Sequence, residues 1–119
     1  MGDLSENFSR KEFACHCGCG MDTVDSELIT VLQDLRDEYG LPMHIISGNR
    51  CPLRNIEVKG SRHSQHMKSK AADLQIDGIT VEEIYNYLTG RYPTKYGIGI
   101  YRTWVHVDVR SEKARWDER

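Results

Sequence analysis

Apolar positions recur along the chain with two periods, and the switches between them outline the fold. Residues 25–39, DSELITVLQDLRDEY, set Leu28, Val31, Leu32 and Leu35 at helical spacing with charges opposite. That stretch predicts an amphipathic helix capped by Asp25 or Ser26 and stopped at Gly40. Pro42 breaks the chain, and MHIIS, 43–47, predicts a short strand ending at Ser47-Gly48. AADLQID, 71–77, alternates, with Ala72, Leu74 and Ile76 on one face and Asp73 and Gln75 on the other. TVEEIYNYLTGRY, 80–92, predicts a second helix capped by Thr80, with Val81, Ile84, Tyr85 and Leu88 inward. YGIGIYR, 96–102, and TWVHVDVR, 103–110, predict two neighbouring strands in a hairpin. Near the start, SRKEF carries a capping-type Ser9 with Glu12 three positions on, which predicts one helical turn. The order helix, strand, strand, helix, strand, strand implies an α+β domain: a small, mainly antiparallel sheet with helices packed on one face.

Two segments fall outside this pattern. Residues 49–63 are polar with glycine and proline and read as a long surface excursion, a length often tied to function. The tail SEKARWDER, 111–119, is charged and is expected to fray, which leaves a core of about residues 8–110.

Length and composition narrow the class. A chain of 119 residues is expected to form a single domain, 1–119, and to bury a core without help from disulfides or metal. With 39% hydrophobic and 29% charged residues it has globular rather than disordered composition. A net charge of -2, from 16 basic and 18 acidic residues, lacks the basic footprint of a nucleic-acid binder. Arg62, Lys68 and Lys70 read as a solvated basic loop. No apolar run of signal-peptide length opens the chain, and no window approaches the roughly 18 apolar residues of a membrane span. The expectation is a monomer, cytoplasmic as synthesised, with no membrane insertion.

The cysteines are unusually placed. Cys15, Cys17 and Cys19 stand in ACHCGCG, and Cys51 in NRCP. Alternate positions differ from the two-residue interval of zinc fingers. Three states stay open: free thiols, a disulfide from Cys51 to one of the first three, or a second, structural zinc held by all four. None makes these cysteines catalytic.

Candidate chemistry follows from strand alternation. In WVHVDVR, His106 and Asp108 share one face while Val105, Val107 and Val109 share the other. Asp73 likewise opposes Leu74 and Ile76. If the two strands are neighbours, their polar residues converge, and His66, in SQHMKSKAAD on the loop leading into Asp73, supplies a third ligand. Two histidines and a carboxylate suit a catalytic zinc, because three protein ligands leave a position open. On spacing alone an ordinary polar loop running into a strand is the commoner arrangement, since a histidine and an aspartate at such intervals specify little.

SQHMKSKAAD resembles the SxHxxGxAxD motif of the zinc D-Ala-D-Ala metallopeptidase superfamily, which includes D-alanyl-D-alanine carboxypeptidases, phage endolysins and the Hedgehog domain. ISGNRCPLRN is similar to the SGxRxPxxN segment of that group, and GIGIYRTWVHVDVR to its final strand pair. The opening FSRKEFAC, with the helix and GLP after it, is similar to the start of small single-domain phage-type members. The resemblance implies a Hedgehog/DD-peptidase-like fold and a zinc peptidase cutting stem peptides or cross-links of peptidoglycan. It implies His66, Asp73 and His106 as metal ligands, Ser64 as support of the metal-site loop, and Arg50 on a substrate carboxylate or developing oxyanion. It further implies a lytic enzyme that reaches the wall after release.

Two positions depart from the pattern. Ser69 stands where glycine is usual. Thr103 stands three residues before His106, where many members carry the acidic general base. Asp108 takes the base role in this reading or else holds the imidazole of His106, and His63 is the alternate base. Glu57, Tyr96 and Tyr101 are unranked candidates for the cleft lining, and His16 and His44 are expected to be structural. The rival readings are a zinc-binding module without hydrolysis and a virion-associated structural protein on the same fold.

Overall fold

A computed structural model describes residues 4–15, 24–48 and 70–119. Helix α1 spans Ser26–Tyr39. Asp25 caps it by accepting the Glu27 N–H at 2.8 Å, and Gly40 ends it in the left-handed region at φ 64°. Helix α2 spans Val81–Arg91, capped by Thr80 on the Glu83 N–H at 3.2 Å. The predicted N-terminal turn is a 3-10 turn at Arg10–Phe13, with the Glu12 carboxylate on the Ser9 N–H at 2.9 Å.

The described strands are β1 (Met43–Ser47), β2 (Ala71–Ile76), β3 (Gly97–Tyr101), β4 (Val105–Asp108) and β5 (Ala114–Glu118). They form one sheet in the order β1-β2-β4-β3-β5. Every pairing is antiparallel except β3 with β5, which is parallel. This is the α+β class with a mainly antiparallel sheet. The hairpin between β3 and β4 is present, closed by the Tyr101 N–H on the Trp104 carbonyl at 2.9 Å.

One expectation fails. The tail does not fray: residues 114–118 form β5, paired with β3 from Gly97↔Ala114 to Tyr101↔Glu118. Its charged residues hid an edge strand, because such strands commonly carry charge on their outer positions. Trp116 was the apolar signal within it. Arg115 anchors the strand's start by donating to the carbonyls of Tyr96 at 2.6 Å and Tyr92 at 2.5 Å.

The core lies between the helices and one sheet face. Leu28, Val31, Leu32 and Leu35 of α1 and Ile84 and Leu88 of α2 pack with Ala72, Leu74, Ile98, Val105 and Val107. Tyr96 also belongs to this core, its hydroxyl donating to Glu27 at 2.6 Å, so it does not line a cleft as the sequence reading allowed. Burial of aliphatic side chains at helical and strand periods is the main stabilising term. Leu32 is 0% exposed, and its truncation in Leu32→Ala is expected to lower stability by about 2–5 kcal/mol. Urea unfolding checks this; a loss under about 1 kcal/mol would mean that α1 does not pack there.

Candidate functional site

The sheet face away from the helices carries the polar residues in register. Ala71 pairs with Asp108, and Asp108 with Gly97. One row along, Asp73 pairs with His106, His106 with Gly99, and Gly99 with Trp116. The convergence predicted from alternation is therefore present for Asp73, His106 and Asp108. A register shift in β1 between Ile45 and Ser47 sets Ser47 opposite Asp73. Bulges of this kind re-aim a strand beside a site.

The three side chains form a linear chain of hydrogen bonds. His106 Nδ1 lies 2.9 Å from Asp73 Oδ1, and His106 Nε2 lies 2.7 Å from Asp108 Oδ2. Asp108 is 0% exposed and His106 and Asp73 are each 7% exposed. Arg110, next on the same alternation, grips Asp108 with both arms of its guanidinium: Nε on Oδ1 and Nη2 on Oδ2, each at 2.7 Å. The backbone N–H groups of Gly97 and Arg110 add bonds to Oδ1, each at 3.2 Å.

Two glycines make this layer possible. A Cβ on Gly97 would lie 2.4 Å from Asp108 Oδ2 and 2.6 Å from Arg110 Nε. A Cβ on Gly99 would lie 2.2 Å from Trp116 Nε1. The empty space above Gly99 lets the indole of Trp116 reach the imidazole, with ring centroids 5.1 Å apart. Trp116 Nε1–H donates to the Tyr101 hydroxyl at 2.9 Å, and Tyr101 stacks on Trp104 at 4.8 Å. Tyr101 thus stands on the site face, unlike Tyr96.

Electrostatics follow from this wiring. Burial opposes a charge on His106, but its hydrogen bonds to Asp108 and Asp73 and their negative charges outweigh it, so its pKa is raised. Burial also opposes ionisation of Asp108, yet the hydrogen bonds from His106 and Arg110 hold its carboxyl well below the usual range. An inaccessible carboxylate with both oxygens occupied is a poor proton acceptor for substrate water. The geometry accordingly gives no support to the general-base role for Asp108, and it fits the alternative of holding the imidazole.

Arg50, His63, Ser64 and His66, the other residues singled out for the site, lie outside the described residues, as do Glu57 and Ser69. So do Cys17, Cys19 and Cys51; Cys15 is buried. Among the described residues no three His, Cys, Asp or Glu side chains gather so as to hold a metal. Thr103 is exposed, and its carbonyl accepts from Gln75 at 2.6 Å. Sequence reasoning missed Arg110, Trp116, Gly97 and Gly99. The alternation His106, Asp108, Arg110 and the strand pattern Gly-Ile-Gly were the available signals, since glycine inside a strand marks close approach of another group.

The family model for peptidase M15 matches residues 6–108. The chain belongs to the peptidase M15 family. This places it in the zinc D-Ala-D-Ala metallopeptidase superfamily, as the motifs implied, and makes it a metallopeptidase in general kind from a zinc-dependent family. No significant match was found among curated proteins, and none among solved structures. Among the described residues no helix is long and apolar enough to cross a membrane.

Asp73 and His106 offer a carboxylate oxygen and an imidazole nitrogen, donor kinds that zinc takes. Carboxylates flank both ring nitrogens of His106, and an ionised carboxylate only accepts, so both contacts favour the doubly protonated ring in the metal-free protein.

With no metal bound, the same pair makes stability depend on pH. A raised folded pKa means that the His106 contribution is full below its unfolded value of about 6.5 and lost as pH rises through the folded pKa. The depressed Asp108 contributes above about pH 4 and loses its share only as pH falls through its folded pKa. Metal-free protein should therefore exceed a His106→Gln variant in stability by more at about pH 6 than at about pH 9. Urea unfolding at both values tests this, and a constant gap would show that the two carboxylates do not hold a proton on His106.

Proposed function

We propose that this M15 peptidase is zinc-dependent and hydrolyses peptide bonds in the stem peptides or cross-links of peptidoglycan. The observation that carries the reading is the pairing of Asp73 with His106 across β2 and β4, which sets a carboxylate oxygen 2.9 Å from Nδ1. Asp73 and His106 would hold the metal, with His66 as third ligand on the strength of the SQHMKSKAAD motif. Zinc in such a site supplies Lewis acidity toward water and the scissile carbonyl.

The chain's own residues supply the rest. Asp108 fixes the imidazole and balances its charge without exchanging protons with substrate. Arg50 orients a peptide carboxylate or offsets charge developing on the scissile oxygen. Ser64 supports the loop that carries His66. With Asp108 occupied and Thr103 lacking an acid, His63 is the candidate for moving the proton from water to the leaving amine.

Metal analysis of purified protein tests the ligand set. Wild type is expected to carry one zinc per chain, lost in His66→Ala, Asp73→Ala and His106→Ala and kept in Cys51→Ser. Digestion of purified peptidoglycan should release defined peptides with wild type alone. Zinc that survives the three changes and disappears with Cys51 would sink the assignment. Stoichiometric zinc without any cleavage would instead identify a binding module.

A further inference from the structure

We infer that Arg110 and Trp116 are positioning residues that fix the ring of His106 for metal binding, Arg110 through Asp108 and Trp116 by direct ring contact. The inference rests on the zinc reading above and extends it beyond residues 6–108, the stretch that the family model matches.

Asp108 receives His106 Nε2 on Oδ2, together with Arg110 Nη2, each at 2.7 Å. Its Oδ1 receives Arg110 Nε at 2.7 Å and two backbone N–H groups at 3.2 Å. A carboxylate held on both oxygens cannot rotate, so it presents a fixed acceptor to Nε2 and sets the orientation of the ring. Lysine could supply the charge but not the planar two-armed grip.

Trp116 acts from the other side. It comes from β5, crosses Gly99 and lies 5.1 Å from the imidazole at a 46° tilt. Its indole is itself fixed, by the Tyr101 hydroxyl at 2.9 Å and by the Arg110 guanidinium 5.4 Å from its ring centre. Arg110 therefore braces both restraints on His106. A strand serving stability alone would not need Gly99 beneath its largest side chain or a shared cation between indole and carboxylate. The arrangement narrows the orientations open to the ring before metal arrives, and that preorganisation is what second-layer groups contribute to affinity.

Zinc affinity, measured by competition with a chromophoric chelator, separates this role from a structural one. Arg110→Gln and Trp116→Ala are expected to weaken binding by about 10–100-fold while the metal-free proteins still unfold cooperatively, with Arg110→Lys in between. Affinities within about twofold of wild type in folded variants would overturn the inference and leave the zinc reading intact. Wild type that binds no zinc would overturn both. Should the variants fail to fold, Trp104→Phe protein, whose remaining indole is Trp116, is titrated with Co²⁺. Quenching that saturates at one ion per chain is expected, and binding without quenching would overturn the contact between Trp116 and the metal site.

Discussion

Two buried carboxylates, Asp73 and Asp108, flank the imidazole of His106, and the guanidinium of Arg110 grips the deeper of the two. Burying such charge without compensation costs several kcal/mol. A proton on His106, favoured by both carboxylates, offsets part of that charge. The same arithmetic explains why Arg110 is committed to Asp108. It neutralises the deeper carboxylate and, with His106, occupies both of its oxygens.

The sheet makes this affordable through a division of its faces. Aliphatic side chains of β2, β3 and β4 meet both helices on one side and supply the apolar burial. The opposite face of the same strands holds the charged layer. The two sets are interleaved residue by residue, so each polar position sits between two core positions: Asp73 between Ala72 and Leu74, His106 between Val105 and Val107. Core packing on one side therefore fixes the backbone from which the polar side chains project. A close-packed interior transmits little play to such positions.

β5 changes the meaning of the chain's last segment. Its parallel pairing with β3 covers an edge that would otherwise expose unpaired backbone groups, and it brings Trp116 over the glycine opposite His106. The wide aromatic group of Trp104, Tyr101 and Trp116 then borders the polar layer on the same face. Stability and site geometry are joined there, since one strand serves both.

Much of this was determined by the sequence alone. Helical and strand periods placed both helices and the first four strands within a residue or two, because amphipathic periodicity records which face is buried. Alternation in WVHVDVR and AADLQID set His106, Asp108 and Asp73 on one face, and the motif resemblance supplied the family. Pairing partners and register were decided only by tertiary structure, because alternation states which side a residue faces and never which strand lies beside it. The tail shows the reason most plainly. Its charges suit solvent or an edge strand equally, and the glycine gap at Gly99 in β3, seventeen residues earlier in the chain, makes room for Trp116 in the paired strand. The surroundings of Asp108 were open for a similar reason: which groups grip a carboxylate is decided in three dimensions, and Arg110 does so here.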